Sequence, residues 1–291
     1  MFAHFPPMSR SKCLLPAFNT SCQGLAAFLA VAAFAFSALV AQEPPALEES
    51  QANESQANEE HLKTLAARVG RLSMRYATSH KPAALQLFEH PVMRTGNKEG
   101  NRDGGVWLWL DGKRPVAALC VWNRGPLWYS ENSALVEDAL EVTGWPKAAW
   151  HSTGTERKSL ALPDPVPQSP AGRQRALRAL ALEFTAREDR LGIKSELRLL
   201  PRPIHTYNAG DHDALDGAIF AFVYGTDPEI LMQIEALQNA GAKHWAVHFA
   251  RMASAELSVR LRDNEVWSAL PISKDVVVKT TADYCIIRED P

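Results

Sequence analysis

Cysteine is scarce in this chain, four residues in 291, which excludes a small disulfide-stapled scaffold. An excess of one charge is also missing: 31 Lys and Arg stand against 33 Asp and Glu, a formal net charge of -2. That balance supplies no basic field for a phosphate backbone, so nucleic acid is not an expected partner. Glycine is outnumbered by proline, 16 to 19, so the loops are many and stiff. Common catalytic signatures are absent as well: no G-x-S-x-G elbow, P-loop, H-E-x-x-H or paired C-x-x-C occurs. GNRDGG at 100 runs directly into VWLWL, without the strand-then-helix setting of a phosphate loop. No cofactor is therefore expected. What is present, 46% hydrophobic and 22% charged residues, is the composition of a globular protein.

Long apolar runs are confined to the N-terminus. Arg10 and Lys12 precede an apolar run from Leu25 to Ala41 whose only polar residue is Ser37, and no acid occurs before Glu43. This pattern predicts a signal peptide over residues 1–41, with Ala41 the last residue removed. The alternative is an uncleaved anchor, for which the run is at the short limit. After cleavage, no stable membrane insertion is expected, and the protein is placed in the periplasm or outside the cell. Cys13 and Cys22 leave with the leader. Cys120 and Cys285 remain where thiols oxidise, either as a disulfide or apart as small buried residues. Residues 42–59, with SQANE twice in tandem and no basic residue, read as an acidic flexible linker.

Comparison of the chain with itself predicts an internal repeat. DGGVWLWLDGKRP matches DGAIFAFVYGTDP at a spacing of 113, pairing Asp103 with Asp216 and Trp107 with Phe220. Upstream, LQLFEHPV matches LRLLPRPI at 112; downstream, Trp128 matches Trp245 and Trp150 matches Trp267 at 117. Each copy opens on a helical stripe: Leu62, Leu65, Ala66, Val69 and Leu72 in the first, Leu177, Leu180, Ala181 and Phe184 in the second. Ser169 and Pro170 suit the second helix's start and Gly192 its end. The expected fold class is thus α+β: two tandem repeats, each a helix packed on an antiparallel β-sheet of about five strands. Repeat 1 spans 60–152 and repeat 2 spans 172–269, joined by a Pro-rich linker over 153–171 and followed by a tail, 270–291. The linker is expected to be a stiff spacer rather than a strand. The tail is expected to add a strand or hairpin through Val276–Val278 and Tyr284–Ile287.

The runs SELRLLPRPIHTY, LDGAIFAFVYGTDPEIL, ARMASAELSVRL and EVWS resemble an uncharacterised family of exported planctomycete proteins, over most of residues 60 to 270. The resemblance implies export. It carries no activity and no catalytic residue.

Several residues invite chemistry. Asp103 and Asp216 suggest an acid/base pair, but Asp-Gly before a strand more simply predicts turn capping, with Gly in an unusual dihedral. His244 and His248 form H-x-x-x-H, a weak metal pair to which Asp211, His212 and Asp213 would have to add ligands. Trp128 and Trp245 are candidate ligand platforms, and Trp107, Trp109, Trp150 and Trp267 are read as core. Arg173, Arg175 and Arg178 read as a solvated helix face. The function favoured is a non-enzymatic binding or structural module of the cell envelope or exterior. The alternative is a hydrolase of envelope or extracellular polymer, with its site between the two repeats.

Overall fold

A computed structural model describes residues 58–78, 85–97, 102–145, 149–154, 159–208, 214–273 and 282–289. The expected signal peptide, most of the acidic linker, the Asp211–Asp213 loop and Val276–Val278 lie outside the described residues. Everything described belongs to one compact unit, Glu54–Pro291.

Helix α1 (58–69) follows the first predicted stripe, burying Leu65 and Val69. It leads to β1 (Ser73–Tyr76), β2 (Gln86–Leu87), β3 (Met93–Asn97), β4 (Arg102–Asp111), β5 (Arg114–Arg124), β6 (Leu127–Ala134), β7 (Leu140–Thr143), β8 (Trp150–His151) and β9 (Leu160–Leu162). Helix α2 (Pro170–Ala181) starts as predicted, with Ser169 as N-cap accepting from the Gly172 N–H and Pro170 in the first turn. Beyond it come β10 (Phe184–Arg190), β11 (Ile193–Leu199), β12 (His205–Tyr207), β13 (Ala214–Tyr224), β14 (Asp227–Asn239), β15 (Ala242–Arg251), β16 (Glu256–Leu261), β17 (Asn264–Ala269) and β18 (Tyr284–Glu289).

These strands form three antiparallel sheets. One has three strands, ordered β1-β7-β8. One has six, ordered β18-β6-β5-β4-β2, with β3 also on β4. The largest has nine, ordered β17-β16-β10-β11-β13-β14-β15-β9, with β12 also on β13. Three apolar clusters hold them. Leu65 and Val69 of α1 pack on Trp107, Trp109, Leu119 and Trp150. Leu177 and Leu180 of α2 pack on Phe220, Phe222, Met232 and Trp245. The opposite faces of the two large sheets meet each other through Val106, Leu108 and Cys120 on one side and Ile219, Ala221 and Leu231 on the other.

The α+β expectation of two tandem repeats is overturned. The described residues are mostly β, with two helices and a nearly closed, barrel-like sheet. Continuous runs such as VWLWL and IFAFV alternate between two covered faces, not between core and water, so the helix covers only one side. The sheets also differ in size. β1-β7-β8 stands apart from the six-stranded sheet, whereas β10, β16 and β17 continue into the nine-stranded one. One edge of each large sheet comes from a segment placed outside the expected copies. β9, inside the stretch read as a spacer, pairs Leu162 with Trp245. β18, in the tail, pairs Tyr284 with Ser133.

Two further expectations are corrected. α2 ends at Ala181, and Gly192 instead turns the β10–β11 hairpin at φ 86°. Asp216-Gly217 is not a turn: both residues lie in β13, opposite Ala236 and Glu235. Gly217 is needed there because any Cβ would collide with the Tyr207 ring.

Candidate functional site

A cavity of about 590 Å³ opens where β6 and β18 approach β15 and β17. Its volume is within the usual range of small-molecule sites. Antiparallel pairing sets two of its walls. Tyr284 of β18 lies opposite Ser133 of β6, and Trp267 of β17 lies opposite Val259 of β16. Phe249, near the end of β15, stands edge-on to Phe184 at 5.7 Å and tilted to Trp267 at 5.8 Å. β17 is the last strand of its sheet, so Trp267 is covered on one side and open to the cavity on the other.

Arg251 is the charged group built into the wall. Its Nε donates to the Ala253 carbonyl at 2.8 Å, Nη1 to Leu270 at 2.9 Å and Nη2 to Ala255 at 2.7 Å. The guanidinium lies 5.5 Å from the Tyr284 ring centre. Burial pulls its pKa below the ordinary arginine value. Other arginines that reach inward have carboxylates: half-buried Arg114 pairs with Glu235, buried Arg173 with Asp216, and exposed Arg190 with the buried Glu188 and Glu229. Among the described residues no carboxylate pairs with Arg251. Of the two acids in the wall, Asp283 accepts from the Thr153 N–H and hydroxyl, each at 2.9 Å, and Glu265 is exposed.

The sequence candidates are elsewhere. Asp103, Asn123, Trp128 and Glu289 form one cross-strand row beside α1. There the Arg94 guanidinium grips Asp103 at 2.7 and 2.8 Å, His61 stacks on Trp128 at 6.0 Å, and Arg68 lies 4.4 Å from the Trp128 ring and pairs with Glu289. Asp216, Ala236, Trp245 and Leu162 form a second row near α2. Trp245 is fully buried and so is not a ligand platform. Arg173, read as solvated, is buried against Asp216 and donates to the Gln168 carbonyl at 2.6 Å. Both aspartates are thus ion-pair partners within strands, not turn caps, and no acid/base pair forms between them.

His244 and His248 share a face of β15, four residues apart on an extended strand, on the order of 13 Å, too far for one metal ion. Among the described residues no group of three metal-ligating side chains occurs. Cys120 and Cys285 are both free and buried. Cys120 points into the core between the sheets and Cys285 into the α1 core, so of the two expected alternatives, a disulfide or separate buried residues, the structure has two separate thiols. Burial pushes the Cys285 thiol up to about 12 and raises Cys120 well above its ordinary value.

Two buried ionic networks were missed by sequence reading. Arg114 of the six-stranded sheet holds Glu235 of the nine-stranded one through two bonds of 2.8 and 2.7 Å, and the Tyr207 hydroxyl donates to the same carboxylate at 2.8 Å. Burial works to raise the Glu235 pKa, but Arg114 and Tyr207 outweigh it and leave the group below the usual glutamate value. At the end of β10, Arg190 spans Glu188 at 3.0 Å and Glu229 at 3.1 Å. Burial, with Glu188 beside it, pushes Glu229 up to about 8. A polar residue inside an apolar strand, as in ILMQIEAL, is the signal that was available for Gln233 and Glu235.

No helix among the described residues is long and apolar enough to cross a membrane. Scans against protein-family models, curated proteins and solved structures each return no match.

Proposed function

We propose that this is an exported binding module that holds a small, partly apolar ligand in the cavity between β6, β18, β15 and β17. The cavity itself carries the reading: it is a concave site with aromatic side chains in its wall and one charged group held by backbone carbonyls. Export is supported by the basic, acid-free leader before the Leu25–Ala41 run and by the resemblance to an exported family. A binding role is favoured over a hydrolase because the cavity wall combines Trp267 and Phe249 with committed or exposed acids, not with a nucleophile and its base.

The uncharged fluorophore N-phenyl-1-naphthylamine tests the cavity. Its emission should rise on adding the protein, and Ser268→Trp, at an exposed wall position, should suppress the rise. Equal emission with both proteins, or none with either, removes the reading. N-terminal mass spectrometry of the native protein should find a chain beginning at or near Gln42.

A further inference from the structure

The structure assigns to this cavity an amphipathic anion: a carboxylate, phosphate or sulfate head on Arg251 and an apolar tail along Trp267 and Phe249. This rests on the cavity being a binding site and specifies what it takes.

Three observations support it. First, Arg251 is a half-buried cation that pairs with no carboxylate among the described residues, while half-buried Arg114 and buried Arg173 each have one. A desolvated charge is costly unless an opposite charge completes it. The second is geometric. Three N–H groups of Arg251 are committed to the Ala253, Ala255 and Leu270 carbonyls, which fix the plane of the guanidinium. A guanidinium has five N–H donors, so two remain for an incoming oxyanion, which is the planar recognition that arginine favours. Third, the wall beside it is apolar and aromatic: Phe249, Val266, Trp267 and Ile272. A small inorganic anion would leave that surface wet, whereas an alkyl or aryl tail covers it.

The acids in the wall do not cancel the site. Asp283 is bound to Thr153, and Glu265 faces solvent, where its charge is screened. The selection is for a ligand bearing both parts, since either alone satisfies half of the wall.

Dodecanoate, dodecanol and dodecyltrimethylammonium, each competed against N-phenyl-1-naphthylamine on the purified protein, separate head from tail. Dodecanoate should bind at least about tenfold more tightly than dodecanol, a modest return for one charge-assisted contact, and the cationic chain should bind most weakly. Arg251→Gln should erase the preference while leaving the dodecanol affinity within about twofold. Because Arg251 also ties backbone together, Arg251→Lys provides a second test, since it loses the same backbone bonds as Arg251→Gln but keeps the positive charge. It should retain most of the preference for dodecanoate and leave dodecanol within about twofold. Equal binding of dodecanoate and dodecanol by the natural protein overturns the anion assignment and leaves the cavity as a neutral site. A preference that survives Arg251→Gln places the anion elsewhere and also overturns it. Failure of all three chains and of the fluorophore removes the binding reading itself.

Discussion

Trp150 and Trp267 each follow an earlier tryptophan, Trp128 or Trp245, by 22 residues, yet they end in opposite surroundings. Beside α1, Trp128 is half-buried among His61, Arg68 and Glu289, and Trp150 is fully buried with its indole N–H donating to the Ala282 carbonyl at 2.7 Å. Beside α2 the order reverses: Trp245 is fully buried and Trp267 is half-open, lining the cavity. Neighbours explain the reversal. Trp128 has Asn123 and Glu289 across the sheet, whereas Trp245 has Ala236 and Leu162. Polar neighbours hold water at one row, and apolar ones expel it from the other. At the far end, the segment leading into β18 closes over Trp150, while Trp267 belongs to a sheet edge. The same residue type is thus core or cavity wall according to what the sheet edges receive.

The sharpest break of this contrast is the tryptophan pair. Trp150→Ala should cost ~4 kcal/mol, a buried aromatic plus its cavity. Trp267→Ala should cost less than half of that and should instead weaken N-phenyl-1-naphthylamine binding. Urea midpoints for the two variants, with the fluorophore titration, check both; equal midpoints would erase the distinction.

The aspartates extend it. Asp216→Ala leaves Arg173 buried without its partner and should cost ~3 kcal/mol. Asp103 and Arg94 have side chains 34% and 40% exposed, and Asp103→Ala should cost under ~1 kcal/mol. Denaturant melts of the two variants measure the gap.

A pH experiment isolates the ionic end of the nine-stranded sheet. Glu229, raised to about 8, binds its proton more tightly in the folded than in the unfolded chain. Its contribution to stability is therefore complete below the ordinary glutamate range, is lost as pH rises toward 8, and is level above that. Glu229→Gln should stabilise the protein relative to the natural chain more at about pH 8.5 than at about pH 5, by ~4 kcal/mol. Paired melts at the two pH values show it, and an unchanged difference would refute it.

The smallest effect concerns the thiols. Ellman's reagent should find Cys120 and Cys285 unreactive in the folded protein and both reactive in guanidinium, since burial suppresses the thiolate.

The local elements were legible in the residues. The stripes of Leu65 and Val69, and of Leu177 and Leu180, marked both helices, and Ser169-Pro170 marked where the second begins. The hairpins at Gly112 and Gly225 follow from apolar runs meeting a glycine that accepts positive φ, here 59° and 61°. Helix period, capping and turn chemistry act over a few residues, so the sequence carries them directly. Sheet assembly was not legible in this way. VWLWL and IFAFV are covered on both faces, but a single chain does not say what the second cover is, and it proved to be the other sheet. Nothing in the sequence marks Arg251; the loop carbonyls of residues 253, 255 and 270 that converge on it come together only in the fold. Tertiary structure alone decided which tryptophan was buried, that Arg251 is held by backbone carbonyls and where the cavity opened. Each depends on strands distant in sequence, such as β6, β15, β17 and β18, arriving at one place, and pairing across that distance follows from total burial, not from local pattern.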